Sequence, residues 1–228
     1  MSRSLVAFVA VLICSALSPG GEPSSLPSRS LPRTTLENQT PTQITAWLKQ
    51  QTGTEIDVTA IGDRKVTVIV AGEFWAVLEQ IAQLTECRIS TVGSKIALKP
   101  GKSHSPSFVK GPFRFVAREV TARIDLETRT TSYAVILDVA WEPWLNAYRI
   151  DGVPKIAKAV DDRGIELTFG QTGARTFTSG NVSTLIVNPK GISRASKSIS
   201  LAGSVGLTIA DELLTFTMPI GSCRNGSS

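Results

Sequence analysis

The sequence contains few of the side chains from which metal, redox and acid–base sites are usually built. Its 228 residues include one histidine, three cysteines and two methionines. Zinc sites take clustered Cys and His ligands, but Cys87, His104 and Cys223 lie far apart along the chain. A nucleophilic Ser or Cys needs a base held beside it, whereas His104 stands in a serine-rich stretch without a regular pattern. We therefore expect no catalytic residue, no metal and no cofactor.

Charged residues are also sparse, and they form no cluster. Only 19% of the residues are charged, and the net charge of +5 comes from single Lys and Arg side chains such as Arg114, Arg118 and Arg123. Nucleic-acid-binding proteins group their basic residues on one face or helix, so we expect no nucleic-acid partner. The hydrophobic share of 42% is enough for folded cores, which excludes disorder throughout the chain.

The first feature that the sequence does contain is a leader. Residues 1–20 have the pattern of a signal peptide, because Arg3 precedes an unbroken apolar run from Leu5 to Cys14 and small residues follow. The run is too short to cross a hydrocarbon core of about 30 Å. This pattern predicts a periplasmic or secreted protein whose mature chain begins between Leu17 and Glu22. An uncleaved leader would be its contact with the membrane.

Two cysteines remain after the leader. Cys87 lies where a predicted helix passes into a strand, a place usually filled by a buried apolar residue, and Cys223 lies in a polar tail. We expect both thiols to be unpaired. A single Cys87–Cys223 disulfide is the alternative, because disulfides persist outside the cytoplasm.

Shifts in composition divide the chain into segments. Residues 21–33 are rich in Pro, Gly and Ser and predict a flexible tether, and the patternless residues 101–112 predict a linker between two domains. Residues 220–228 predict a polar tail. The two predicted domains are residues 34–100 and 113–219.

The first predicted domain mixes helical and strand patterns. Thr40, Pro41 and Gln43 form a capping arrangement that begins a helix, and Gly53 ends it. A second helix follows Gly72, where apolar residues repeat at three and four positions. These segments predict a small α+β domain with both helices on one face of a small sheet, whose strands are 55–59, 65–70, 88–92 and 95–98.

Four segments of this domain carry a resemblance to a known family. They are Leu48–Gly53, which ends in Thr-Gly, the strand Val66–Val70, the helical Val77–Ile81 and the hairpin end Lys95–Leu98. Their order resembles the secretin and TonB N-terminal short domain, whose members are extracytoplasmic docking modules. No barrel-forming or secretin ring segment follows in this sequence. The resemblance therefore implies a small periplasmic module that binds protein, without transport or secretion.

Residues 113–219 have strand patterns throughout. Alternate positions from Tyr133 to Trp141 are apolar, which predicts one buried strand face, and Asp138 predicts that the opposite face meets water. Shorter apolar runs recur between Gly- and Asp-rich turns. About seven or eight strands over this length predict an antiparallel immunoglobulin-like sandwich, with a closed barrel as the alternative.

Three local patterns between residues 107 and 164 match known sequences but imply no activity. Trp141-Glu142-Pro143-Trp144 and the turn Asp161–Gly164 resemble uncharacterised planctomycete secreted β-sandwich proteins, a resemblance that implies no activity. Ser107–Lys110 matches the Ser-x-x-Lys string of penicillin-recognising enzymes, but Pro106 and the following Gly-Pro disfavour the helix that this chemistry needs.

The candidate interaction surface draws on both predicted domains. Thr67 and Ile69 share one face of the central strand, so either they or the alternating valines should pack under the helices while the other set stays partly open. Trp75 should either pack against the sheet or lie half exposed at a docking surface. Trp144 and Tyr148 could form an aromatic strip near a strand end.

These features together predict an exported, non-catalytic adaptor or docking protein of the periplasm or cell envelope. Its expected partner is another envelope protein. A carbohydrate or cell-surface binding module is the alternative, which an exposed flat strip of Trp144 and Tyr148 would favour. A hydrolase is the second alternative, which a cleft joining polar residues of both domains would favour. The sequence does not set the oligomeric state.

Overall fold

A computed structural model describes residues 30–59, 61–170, 180–192, 196 and 198–209, together with the backbone of 12–14 and 176–177. Most of the predicted leader, the last ten residues of the second predicted domain (210–219) and the polar tail with Cys223 lie outside the described residues. Within the described part, no helix is both long and apolar enough to cross a membrane.

The described part of the chain is mostly β, with two helices and several antiparallel sheets. A short strand β1 (Leu12–Cys14) comes first. The N-terminal half, residues 30–100, consists in chain order of β2 (Leu31–Gln39), α1 (Pro41–Thr52), β3 (Ile56–Asp57), β4 (Val66–Gly72), α2 (Phe74–Leu84), β5 (Cys87–Val92) and β6 (Lys95–Pro100). The C-terminal half, residues 107–209, consists of β7 (Ser107–Lys110), β8 (Phe113–Ile124), β9 (Thr131–Trp141), β10 (Ala147–Ile150), β11 (Lys155–Asp161), β12 (Thr168–Gly170), β13 (Thr176–Phe177), β14 (Val182–Lys190), β15 (Ile199–Ser204) and β16 (Leu207–Ile209).

The described strands form five sheets. In the N-terminal half, β2 pairs antiparallel with β4, while β6 lies between β3, its parallel neighbour, and β5, its antiparallel neighbour. The C-terminal half has a five-stranded antiparallel sheet in the order β12-β14-β9-β8-β7. Two three-stranded sheets complete it, in the orders β1-β15-β11 and β13-β10-β16.

Helix α1 begins and ends as its sequence predicts. The Thr40 hydroxyl accepts a hydrogen bond from the Gln43 amide at 3.3 Å, and the Gln43 side chain accepts one from the Thr40 amide at 2.9 Å. Gly53 ends the helix with a φ of 73°, a left-handed conformation that glycine adopts at little cost. The predicted capping box and the predicted stop are confirmed.

The prediction of one small sheet under both helices is wrong for the N-terminal half, which has two separate sheets. The difference comes from β2, a strand that begins inside the predicted tether of residues 21–33 and was not expected. Most of β2 is polar and exposed, and Leu31 is its one fully buried apolar residue. Its strand conformation depends on pairing with β4, which is a contact distant in sequence.

One hydrophobic core joins the elements of the N-terminal half. Ile44 and Leu48 of α1, Phe74 and Leu78 of α2, and Val68 of β4 are all completely buried. Apolar residues of β3, β5 and β6 belong to the same cluster. The free Cys87 thiol is buried here as predicted, and it donates a hydrogen bond to the Thr85 carbonyl.

The C-terminal half follows the predicted strand pattern closely from β9 onward. However, residues 107–110 of the predicted linker form β7, the edge strand of the five-stranded sheet. Only residues 101–106 and the turn at 111–112 of that linker lie outside a strand. The extended β7 also excludes the helix that a Ser-x-x-Lys site would need. The sequence of strand β8 shows no regular alternation of apolar and polar residues, because a bulge between Ala117 and Glu119 shifts which residues face each side of the sheet.

The two faces of the five-stranded sheet pack against different partners. Val135, Leu137, Val139 and Trp141 lie on one face and are buried in the C-terminal core, as the alternation predicts, beside residues of β11 and β15. The opposite face was expected to meet water, but the N-terminal half covers part of it: Ala140 is buried in the N-terminal core. Even Asp138 has only 16% of its side chain exposed.

Candidate functional site

The five predicted surface residues have different environments and lie on separate elements. Thr67 and Ile69 of β4 are exposed, and Ile69 has 51% of its surface open to solvent. Tyr148 of β10 is exposed, and Trp144, in the loop after β9, is half-buried. Trp75 is completely buried, so it belongs to the packed core and not to an exposed surface.

The exposed face of β4 results from the alternation that its sequence predicts. Val68 and Val70 are completely buried under the helices, whereas Thr67 and Ile69 point outward. Thr67 accepts a hydrogen bond from the Asn38 amide at 3.2 Å, which joins β4 to the irregular end of β2. Within the described part of the chain β4 pairs with β2 alone, so the face carrying Ile69 lies beside an unpaired strand edge. We call Thr67, Ile69 and this edge the β4 surface.

The two halves meet at a buried junction around the start of α2. The Phe74 amide donates a hydrogen bond to the Glu142 carboxyl group at 3.3 Å, and the Trp75 indole N–H donates to the Pro112 carbonyl at 3.2 Å. The N-cap residue Glu73 makes no side-chain capping bond. Glu142, at the end of β9, therefore caps α2 from the other half of the chain, where the helix dipole favours a carboxyl group.

Two further contacts hold the junction together. Arg114 of β8 and Glu79 of α2 form an ion pair with an Nε–Oε1 distance of 2.8 Å, and only 5% and 20% of their side chains are exposed. The Trp144 ring packs edge-on against Phe74 with 5.5 Å between ring centroids. Sequence patterns did not indicate these pairs, because the partners of each are at least 35 residues apart.

A close backbone approach joins the halves at a second place. The Asn181 amide donates a hydrogen bond to the Gly93 carbonyl at 2.9 Å. A Cβ atom added at Gly180 would collide with the backbone of Gly93, so glycine permits this approach.

Two open clefts flank β5, on either side of this contact. The larger has a volume of about 900 Å³ and extends from the end of α1 across the outer face of β6 to Trp144. The smaller has a volume of about 480 Å³ and lies between the edge of β5 and the outer face of β8. Both halves line the smaller cleft, which we call the β5 groove. Arg88, Lys99, Lys102, Arg114 and Arg118 give it five basic side chains against one acidic residue, Asp138.

The titratable side chains considered in the sequence lie apart from one another in the described residues. No cluster of three or more His, Cys, Asp or Glu side chains that could hold a metal ion occurs among them. His104 is exposed in the segment between the halves and lines the β5 groove. The adjacent carboxylates Asp161 and Asp162 lie at a turn, as predicted.

Asp161 organises that turn through its carboxylate. Its oxygens accept hydrogen bonds from the Ser196 hydroxyl at 2.5 Å and from the amides of Ile165 and Arg163 at 2.8 and 2.9 Å. The Ser196 hydrogen bond is the main reason that the pKa of Asp161 lies below its ordinary value of 3.8, and burial opposes this shift.

We expect Asp161 to make the stability of the protein sensitive to acid. The folded state holds a lower pKa than the unfolded state, so this contribution is complete above about pH 4 and is lost as pH falls through the folded pKa. The Ser196→Ala variant should show a smaller loss of stability over this acid range in denaturant unfolding. Thr128→Ala is the comparison at a different turn. The backbone amide of Thr128 is the main reason that the pKa of Asp125 is lowered, and alanine keeps this amide, so the acid dependence should change less than in Ser196→Ala. An acid dependence unchanged in Ser196→Ala would contradict this role.

Comparison of the chain with protein-family models, with curated proteins and with solved structures gives no match. The fold and the junction geometry are therefore the basis for a functional interpretation, together with the sequence patterns.

Proposed function

We propose that the protein is exported and serves as a non-catalytic adaptor or docking protein of the periplasm or cell envelope. Its partner is another envelope protein, which binds at the β4 surface. The leader pattern in residues 1–20 supports export, and the resemblance of residues 34–100 to extracytoplasmic docking modules supports protein binding. The observation that carries the proposal is the exposed Ile69, which lies between two completely buried valines on β4, a strand with one edge that no described strand pairs with.

We also propose a fold type for each half of the chain. Residues 34–100 form a module of the secretin and TonB short-domain type, and residues 113–219 form an immunoglobulin-like sandwich. The C-terminal core supports the sandwich, because it contains residues of the five-stranded sheet together with Ala159 and Leu201 of the sheet formed by β1, β15 and β11. The antiparallel pairing of the five-stranded sheet is also typical of such sandwiches.

The β4 surface suits docking by a partner strand. A partner strand could pair with the backbone of β4, and Ile69 would supply an apolar anchor beside that pairing. An exposed apolar side chain beside an unpaired strand edge favours aggregation when no partner covers it. Burial of Ile69 by a partner protein would account for its exposure in the unbound chain.

The proposal is tested by capture of envelope proteins on the full chain, followed by mass spectrometry. We expect Ile69→Lys to lose the captured partner, because a charge would be buried in the contact. Ile186→Lys is the matched control, since Ile186 is a strand residue with 49% exposure on β14. Circular dichroism should show that both variants remain folded. Equal capture by the wild-type chain and Ile69→Lys would contradict the proposal.

The structure does not favour the carbohydrate alternative through its aromatic residues. Tyr148 is exposed, but Trp144 packs edge-on against Phe74 at the junction and contributes to both hydrophobic clusters. A flat sugar-binding strip needs the faces of both rings. Binding of polysaccharide by the full chain, abolished in Tyr148→Ala, would nevertheless replace the adaptor function by this alternative.

A further inference from the structure

The β5 groove has a strand edge on one side and an excess of positive charge around it. Arg88 and Lys99 lie directly opposite each other in the β5–β6 pairing. Like charges opposite each other on adjacent strands repel, and both side chains are exposed. Lys99 also lies near Asp57 of β3, where its charge contributes to a lowered pKa that hydrogen bonds from Thr59 mainly cause. Arg88 forms no ion pair with a described carboxylate.

The negative groups near the groove are already engaged. Asp138 accepts a hydrogen bond from Thr184 at 2.8 Å and pairs with Arg118 at 3.3 Å. Glu79 pairs with the buried Arg114. Lys102 pairs with Glu86, at an Nζ–Oε1 distance of 3.9 Å. Arg88 and Lys99 are therefore the basic side chains that leave a net positive potential along β5.

The hairpin geometry determines which backbone groups of β5 point into the groove. Gly93 and Ser94 form a two-residue turn, so the flanking pair Val92–Lys95 exchanges backbone hydrogen bonds and every second pair after it does the same. Thr91 and Ile89 occupy the intervening pairs, in which N–H and C=O groups point away from β6. Pro100, which has no N–H, lies opposite Cys87 in another such pair, as this alternation requires.

These outward groups have no neighbouring strand. In the described part of the chain β5 is the last strand of its sheet, and no backbone hydrogen bond joins Ile89 or Thr91 to the C-terminal half. The edge lies along a groove that is open to solvent.

We propose that the β5 groove binds an acidic peptide segment in an extended conformation, which adds as a fourth strand beside β5. Its backbone pairs with the outward N–H and C=O groups of Ile89 and Thr91. Its side chains alternate, so acidic residues on one face approach Arg88 and Lys99 while apolar residues on the other face approach Ile89. Alternation of acidic and apolar residues is thus the recognised pattern. This site is distinct from the β4 surface, so the two proposals can fail independently.

The test uses the full chain and a fluorescent octapeptide of alternating Glu and Val, with binding followed by anisotropy at low and high salt. We expect salt-sensitive binding that weakens roughly tenfold in Arg88→Glu, which is a change typical for the loss of a charge-assisted contact. Arg33→Glu is the matched control, because Arg33 is an exposed residue of β2 and the net charge changes equally. Ile69→Lys should bind the peptide as tightly as the wild-type chain does, whether or not the β4 surface binds a partner.

A second pair of variants tests the backbone contact. Thr91→Pro removes the outward N–H but keeps the β5–β6 hydrogen bonds, because proline is tolerated on a strand edge where its nitrogen faces solvent. We expect this variant to lose peptide binding while Thr91→Val retains it. In the wild-type chain, hydrogen exchange at the Thr91 amide should slow when the peptide is bound.

Three results would overturn the proposal. They are an absence of binding by the wild-type chain, equal weakening in Arg33→Glu, and binding unaffected by Thr91→Pro. The last result, combined with equally tight binding of a single-stranded oligonucleotide, would identify the groove as a general polyanion surface.

Discussion

We expect Trp75→Ala to lower the free energy of unfolding by about 3–5 kcal/mol, which is typical of a large aromatic residue removed from a core. Trp75 is completely buried, stacks edge-on with Phe74 at 5.1 Å and donates a hydrogen bond to Pro112 of the other half. Its loss leaves a cavity in the N-terminal core and removes a contact across the junction. Urea unfolding followed by circular dichroism measures this change.

The same variant tests whether the halves unfold together. The junction contains the Arg114–Glu79 ion pair, the Glu142 cap on α2 and the Trp144–Phe74 contact, so we expect one unfolding transition for both halves. Leu84→Ala is the control, because Leu84 lies on the same helix with 39% exposure and should cost little. Two separate transitions, with only one shifted by Trp75→Ala, would show that the halves are independent.

A coupled junction also affects how the binding experiments are designed. A fragment containing residues 34–100 alone would expose Phe74 and leave the first turn of α2 without its Glu142 cap. Failure of such a fragment to bind a partner would then have a structural cause. For this reason both binding tests use the full chain.

The local elements of the fold could be predicted from the sequence. Helix α1 depends on the side chains of Thr40 and Gln43 and on the left-handed Gly53, which are all within the helix or next to it. The alternation in β4 and β9 also follows from neighbouring residues. It identified the buried face of β9 correctly, and in β4 it predicted that one face is buried and the other open without deciding which. Each of these features has its physical cause within a few residues.

The elements that could not be predicted depend on contacts distant in sequence. Strand β2 is polar and becomes a strand only by pairing with β4, and the bulge in β8 interrupts its alternation. The expectation that the Asp138 face meets water holds only in part, for the same reason. Only the packing of the N-terminal half on that face reduces its exposure, and no local pattern indicates that packing.

The candidate site residues also differ in whether local sequence or distant contacts determine their exposure. Ile69 was identified by strand alternation, whereas Trp75 could not be placed because a helix residue is buried or exposed according to what packs on it. The β5 groove was missed completely. Its basic residues come from β5, β6, β8 and the segment between the halves, so in the sequence they are scattered single charges. The fold brings them to one groove.

We expect Leu137→Ala to lower the free energy of unfolding by about 2–5 kcal/mol, since the change loses buried apolar surface and leaves a cavity. Leu137 is 3% exposed and lies opposite the buried Leu185 in the β9–β14 pairing. Ile186→Ala is the matched control, because it shortens an aliphatic residue on the open face of the neighbouring strand and should cost less than about 1 kcal/mol.

The adjacent Asp138 provides a second comparison on the same strand. Asp138 accepts a hydrogen bond from Thr184 and forms an ion pair with Arg118. Asp138→Ala should therefore lower the free energy of unfolding by about 1 kcal/mol, which is more than a substitution at a fully solvated position would cost but less than Leu137→Ala. Denaturant melts of the three variants should therefore rank Leu137→Ala well above the other two. Equal losses at positions 137 and 138 would mean that the two faces of β9 are buried to the same extent, and the assignment of Leu137 to the C-terminal core would be wrong.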